Sequence, residues 1–168
     1  MLQVNGENNN DVVTAYLDDV NYDGTLGSCS VFNTLVWSDE FDADAGTAIN
    51  DEYWTCETGQ TGWGNNELQN YTTSIDNAAH DGEGNLIITA IQENENSYTS
   101  ARCITEDKVE FTYGRVEARI NIPDGQGIWP AFWMLPSGGN WPCDGEIDIM
   151  EQWGSNGYTY RTTGADHL

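Results

Sequence analysis

Apolar and polar residues alternate with a period of two in several runs of the chain, the signature of half-buried strands rather than of helices. These runs predict strands over roughly 34–41, 86–92, 109–122, 128–135 and 146–153. Turn signals lie between them, among them Pro123-Asp124-Gly125-Gln126-Gly127 and Ser137-Gly138-Gly139-Asn140. No run of ten or more residues reads as a helix, and strands without intervening helices imply an all-β antiparallel sandwich or barrel. In the longest run the apolar positions change phase. Val109, Phe111 and Tyr113 are odd-numbered, whereas Val116, Ala118, Ile120 and Ile122 are even-numbered. A β-bulge or kink at Gly114 would keep one face buried throughout.

Residues 1–28 differ from the rest. An Asn/Gly/Asp-rich opening leads into one strand-like run, Val12 to Val20, and then into Asn21-Tyr22-Asp23-Gly24-Thr25-Leu26-Gly27-Ser28. This stretch reads as an upstream segment or linker ahead of a domain over 29–168. Its Tyr16-Leu17-Asp18-Asp19-Val20 resembles the closing strand of carbohydrate-binding jelly-roll modules.

Composition narrows the partners. The 168 residues hold 28 Asp+Glu against five basic residues, a formal charge of −23. Such a field repels nucleic acid, anionic membranes and sulfated or carboxylated polymers, and leaves neutral ligands, cations and neutral polysaccharides as fitting partners. Seven Trp, 18 Gly and few helix-forming stretches agree with an all-β chain. No apolar window is long enough to span a membrane. Cys29, Cys56, Cys103 and Cys143 form no CxxC pair, which disfavours zinc, favours an oxidising extracellular setting and leaves three disulfide pairings open. No signal peptide is evident at Met1.

The chemistry concentrates in Gly145-Glu146-Ile147-Asp148-Ile149-Met150-Glu151-Gln152-Trp153. On a regular strand Glu146 and Asp148 share a face and Glu151 points oppositely. One residue bulged between Asp148 and Glu151 brings all three acids together and leaves Ile147 and Ile149 on the core side. Glu146 and Glu151 then lie roughly 13 Å apart at Cα, and two side chains leaning together close that to roughly 5–6 Å, the separation of a retaining glycosidase pair. With one residue in six acidic, this spacing arises by chance about 0.7 times in such a chain, so the surroundings must decide. A solvated acidic face would have polar neighbours, whereas these acids sit in an apolar, Trp-flanked strand where ionised groups need a task or a partner. Close carboxylates cannot all ionise cheaply, so one keeps a proton and can act as an acid.

The Glu146-x-Asp148-x-x-Glu151 motif, preceded by Trp141-Pro142-Cys143-Asp144-Gly145, resembles the bulged catalytic signature of glycoside hydrolase family 16, in particular its laminarinases. Trp37-Ser38-Asp39-Glu40-Phe41, Trp63-Gly64-Asn65-Asn66-Glu67-Leu68-Gln69, Tyr113-Gly114-Arg115-Val116-Glu117 and Gly127-Ile128-Trp129-Pro130-Ala131-Phe132-Trp133-Met134 are similar to the family in its order, over about 34–153. The resemblance implies a concanavalin-like β-jelly-roll of two curved antiparallel sheets, and hydrolysis of internal β-1,3-glucosidic bonds with retention. Glu146 is similar to the nucleophile, Glu151 to the acid/base and Asp148 to the carboxylate that orients the nucleophile. Trp129, Trp133, Trp141 and Trp153 would offer indole surfaces to glucose rings. Asn66, Glu67 and Arg115 would hydrogen-bond sugar hydroxyls. No cofactor is implied for catalysis; Glu40 and the Gly84 carbonyl resemble positions that bind a structural calcium. His80 reads as a surface-loop residue, and His167 resembles a cleft histidine. By the same resemblance the chain is expected to be the N-terminal half of a secreted catalytic domain, whose remaining half would be its partner. A mixed-linkage β-1,3-1,4-glucanase and a non-catalytic β-glucan-binding module are the competing functions.

Overall fold

The computed structural model describes residues 13–23, 34–123, 125–154 and 162–167. These form strands β1 (Val13–Asp23), β2 (Trp37–Asp39), β3 (Thr55–Glu57), β4 (Gln69–Tyr71), β5 (Ala78–His80) and β6 (Leu86–Asn94), followed by β7 (Ser97–Ser100), β8 (Arg102–Ile104), β9 (Arg115–Asn121), β10 (Ala131–Met134), β11 (Glu146–Gln152) and β12 (Thr162–His167). No helix occurs among the described residues, as the alternation predicts.

Seven strands make one sheet, in which β2, β1, β6, β7 and β4 follow one another, β5 adds to β6 and β9 adds to β1. All these pairs are antiparallel except β4 with β7. A second sheet runs β10-β11-β12, and β3 pairs with β8. The run expected to be a strand in the upstream segment is β1, hydrogen-bonded on one side to β6 and on the other to β9.

One core joins the sheets. Leu86 and Ile88 of β6, with Val116, Ala118 and Ile120 of β9, pack from the first sheet, and Phe132 of β10 and Met150 of β11 from the second. Phe41, Trp54 and Cys103 fill the space between, with Trp37 against them. The Trp54 indole N–H donates to Asp39 at 2.9 Å, so its polar atom is satisfied inside an apolar cluster. Cys56 and Cys103, register partners in β3 and β8, form a disulfide, which settles one of the pairings the sequence left open. Cys143 is exposed; Cys29 lies outside the described residues.

Two expectations are corrected. The strand expected from 109 to 122 begins only at Arg115: Gly114 has φ +146°, and Phe111 and Tyr113 are 39% and 59% exposed. The phase change there marks the start of a strand, because Phe111 and Tyr113 are exposed and need no bulge to reach the core. His80 is no surface residue. It ends β5 at 4% exposure, its Nδ1 3.2 Å from the hydroxyl of Thr47.

The disulfide closes a loop of sequence separation 47, which the chain-entropy model values at about 4 kcal/mol. Replacing Cys56 and Cys103 together by Ala in the full-length protein should lower the urea-unfolding free energy by about 2–4 kcal/mol. A loss below about 1 kcal/mol would show that β3 and β8 hold together without it.

Candidate active site

The acids lie on β11, where the register slips. Trp133 of β10 pairs with Asp148 and Phe132 with Met150, so Ile149 is the extra residue. The other side of β11 slips at the same place, with Asp148 opposite Ala165 and Glu151 opposite Thr163. Faces follow from this register. Phe132 and Met150 point into the core, so Trp133 and Asp148 point away from it, and Glu151, opposite Ala131, does so as well. Glu146, two residues before Asp148, shares that face. Ile149 packs against the core as expected, whereas Ile147, on the same side, is 46% exposed.

Burial is graded across the cluster. Asp148 is 5% and Glu151 8% exposed, and Glu146 is more open. Each glutamate accepts an indole N–H: Trp141 Nε1 donates to Glu146 Oε2 at 2.7 Å, and Trp129 Nε1 to Glu151 Oε1 at 3.0 Å. An N–H donor fixes the orientation of the carboxyl group that accepts it. The rings of Trp129 and Trp153 meet at 5.8 Å.

Local backbone delivers these indoles. Residues 127–130 extend the pairing of β10 past its end, with the Gly127 N–H donating to Gly154 O, Gly154 N–H to Ile128 O at 2.7 Å and Gln152 N–H to Pro130 O at 3.1 Å. Trp129 is thereby laid beside Glu151. Gly154 permits this approach, since a Cβ there would fall 1.8 Å from the Gly125 carbonyl oxygen. On the other flank Asn140 N–H donates to Asp144 Oδ2 at 2.6 Å and Gly145, at φ +86°, turns the chain into β11, so Trp141 folds back over Glu146.

The sequence-derived candidates therefore divide. Glu146, Asp148, Glu151, Trp129, Trp133, Trp141 and Trp153 come together. Trp133, expected to present a bare ring to sugar, has the Arg102 guanidinium carbon 4.8 Å from its centroid. Asn66 is exposed in a tightly wound loop at φ +57°. Glu67 is 5% exposed, and its Oε2 accepts from Tyr71 Oη and Gln69 Nε2, both at 2.7 Å. Arg115 is not brought to the carboxylates either. It alternates with Val116, so it lies on the outer face of the first sheet, across the core from the acids, and pairs with Glu117 at 3.4 Å. His167 occupies the register position opposite Glu146.

Glu40 and Gly84 do meet. A Cβ on Gly84 would lie 3.6 Å from the Glu40 carbonyl oxygen and 3.9 Å from Asp42 Oδ1. These are hard oxygen donors, but calcium takes about six to eight of them, and no group of three acidic, His or Cys side chains converges among the described residues.

Sequence reasoning missed Arg102, Glu57 and the Tyr71–Gln69 support beneath Glu67. Arg102 had one signal to offer, being one of five basic residues in a chain of charge −23. Burial, the largest influence, pushes the Glu67 carboxyl above its ordinary value of 4.5, against the pull of Tyr71, Asn65, the Arg102 charge and Gln69. Burial likewise pushes the Tyr71 phenol up, with the Glu67 charge adding to it.

A family model described as glycosyl hydrolases family 16 matches residues 50–164. The chain is 48% identical over 129 residues to a beta-glucanase of Rhodothermus marinus, a match covering 73% of this chain and 44% of that protein. It is 39% identical over 137 residues to glucan endo-1,3-beta-glucosidase A1 of Niallia circulans, covering 70% of this chain and 20% of that one. The crystal structure of an endo-1,3-beta-glucanase from Streptomyces sioyaensis superposes with a TM-score of 0.69 at 35% identity, over 79% of this chain and 54% of that one. The chain thus spans less than half the length of these two curated relatives.

The raised Glu67 pKa has a sign that can be tested. The folded chain binds this proton more tightly than the unfolded one, so the group stabilises the fold fully below pH 4.5 and progressively less as pH rises through the raised value. Glu67→Gln keeps an acceptor for Tyr71 and Gln69 without the charge. Urea midpoints followed between about pH 4 and 8 should fall less steeply for the variant; parallel curves would refute a charge-burial cost at Glu67.

Proposed function

Since the chain belongs to glycosyl hydrolases family 16, we propose that the protein containing it is a retaining endo-β-1,3-glucanase acting on laminarin-type β-glucans. The observation that carries the reading is the bulged strand, which gathers Glu146, Asp148 and Glu151 on one face with an indole N–H on each glutamate. The names of the two relatives and of the superposed structure support the substrate.

In this reading the Glu146 carboxylate attacks the anomeric carbon while Glu151 gives its proton to the departing glycosidic oxygen. The C–O bond breaks, an ester to Glu146 forms, and the Glu151 carboxylate then takes a proton from the water that hydrolyses the ester. Two inversions give net retention. Trp129 can only donate, so Oε1 of Glu151 acts as an acceptor and the acid's proton falls to the other oxygen. The Trp141 N–H, donating to Oε2 of Glu146, fixes the orientation of the attacking carboxylate. Asp148, the most buried of the three, is in this reading the carboxylate that orients the nucleophile.

We also place the reaction outside the cell, which the Cys56–Cys103 disulfide supports. Further strands would complete the domain: Ile147, on the core side, is 46% exposed, and the chain covers only 54% of the superposed glucanase. An unoccupied binding module is the poorer reading, because binding alone has no use for buried acids.

In the full-length protein, Glu146→Gln should lower laminarin hydrolysis by at least about a thousandfold in a reducing-sugar assay, and proton NMR of the first sugar released by the unaltered protein should show the β-anomer. Near wild-type turnover of the variant would remove Glu146 from its role, and an α-anomer would exclude retention. If the unaltered protein binds insoluble β-1,3-glucan yet releases no sugar, the binding-module reading replaces this one. The 168-residue chain alone should lack turnover and a cooperative thermal transition; a monomer showing both would refute the need for further strands.

A further inference from the structure

The loop between β2 and β3 folds against the end of β5. Thr47 closes a turn in it, its N–H and its hydroxyl both donating to Asp44 O, at 3.1 and 2.7 Å. Two backbone bonds pin that turn to the strand, Gly46 N–H to His80 O at 2.8 Å and His80 N–H to Thr47 O at 2.9 Å. Beside this junction opens a cavity of about 590 Å³, lined by Asp39, Asp42, Asp44, Thr47, Asn50, His80 and two alanines. It is built on β2 and β5 of the first sheet, whereas Glu146, Asp148 and Glu151 lie on β11 of the second.

His80 gives the cavity its chemistry. Its ring is 6.1 Å from that of Phe41, and the residue is 4% exposed. Nδ1 lies 3.2 Å from both the hydroxyl and the carbonyl oxygen of Thr47. That hydroxyl already gives its proton to Asp44 O and a carbonyl only accepts, so in the neutral ring the proton sits on Nδ1 and Nε2 is an acceptor. Among the described residues Nε2 has no partner. The little of His80 that stays exposed opens onto the cavity. A nearly buried acceptor of this kind is costly unless a donor reaches it from the open side.

The walls select the donor. Asp39 is fixed, Oδ1 accepting from Phe41 N–H at 3.0 Å and Oδ2 from Trp54 Nε1 at 2.9 Å. Asp42 and Asp44 are exposed, and among the described residues no basic side chain pairs with either. Three carboxylates around one hollow repel anions and attract cations. No aromatic ring lines the hollow to receive the face of a sugar. A bare metal ion is not gripped either, since among the described residues no three acidic, His or Cys side chains converge on one point. The volume suits a small molecule, whose sites span roughly 300–1,000 Å³.

We propose that this cavity binds a small organic cation, a primary ammonium compound, whose N–H bonds go to the carboxylates of Asp42 and Asp44 and to Nε2 of His80. The backbone bonds between the loop and β5 hold these acceptors in place before the ligand arrives. The site is separate from the glucan cleft and does not depend on the glucanase reading. The competing role is structural, with His80 serving only to tie the loop to β5 and the hollow filled by solvent.

The test is isothermal titration of the full-length protein with putrescine in about 0.15 M NaCl, where diffuse attraction is screened beyond about 8 Å. Saturable one-to-one binding is expected. Its bis-quaternary analogue, with every N–H replaced by N-methyl, should bind at least about tenfold more weakly, because the charge remains and the donors are gone. His80→Asn keeps a donor for Thr47 and removes the Nε2 acceptor, and should weaken putrescine at least about fivefold. Asp44→Asn, at an exposed position where the fold is not at stake, should do the same. Absence of saturable binding up to about 10 mM putrescine would overturn the proposal. So would equal affinities for the two ligands, or for the unaltered protein and both variants, either of which describes a diffuse counter-ion cloud. Displacement of putrescine by about 1 mM calcium chloride at constant ionic strength would show a metal site instead and overturn it as well.

Discussion

A strand offers two faces, and a carboxylate turned into the core of a sandwich would have neither water nor a partner. Within seven positions β11 carries three acids together with Ile147, Ile149 and Met150. With Glu146 and Asp148 facing outward, strict alternation would bury Glu151 and expel Met150. The extra residue at Ile149 resolves the conflict, because the slip lets Ile149 and Met150 both pack against the core while Glu151 rejoins Glu146 and Asp148. Both neighbours of β11 accommodate the same slip, so the bulge belongs to the whole sheet and not to one strand pair.

Gathering acids in one place has an electrostatic cost that the rest of the site offsets. Asp148 and Glu151 are almost wholly buried in a chain that already carries −23. Indole N–H groups from two flanking loops reach the two glutamates, which orients them without adding charge. Arg102, ion-paired with Glu57, lies over the ring of Trp133, the register partner of Asp148. The donors thus arrive from residues 129 and 141 to orient the acids at 151 and 146, and only the packed sheets bring them together.

Beneath the Trp63 loop the same logic applies to a different acid. Glu67 is buried with Tyr71 and Gln69 donating to it, and the Trp63 ring meets that of Tyr71 at 5.5 Å. The loop is wound by two bonds to the Gly62 carbonyl, from Asn65 at 2.8 Å and Glu67 at 3.1 Å. It leaves Asn66 exposed and Glu67 beneath it. Adjacent residues of one motif thereby take different tasks, Asn66 facing outward and Glu67 supporting from below.

The sequence alone determined the all-β class, the three acids, the bulge between Asp148 and Glu151 and the family, because each rests on local alternation or on a motif contained in one strand. It could not separate Asn66 from Glu67, or place Arg115, since a motif records which residues occur together and not which face of which sheet they take. Nor could it show β3, β4, β5, β7 and β8, which are three or four residues long and too short to display a period. At Gly114 a change of phase reads equally as a bulge or as a strand end, and exposure of Phe111 and Tyr113 decides between them. The indole donors, the pairing of Cys56 with Cys103 and the seating of Arg102 between Trp63 and Trp133 were decided by tertiary structure alone, because each joins residues that are distant along the chain or set by a loop's fold, and distance in space is fixed only once the sheets have packed.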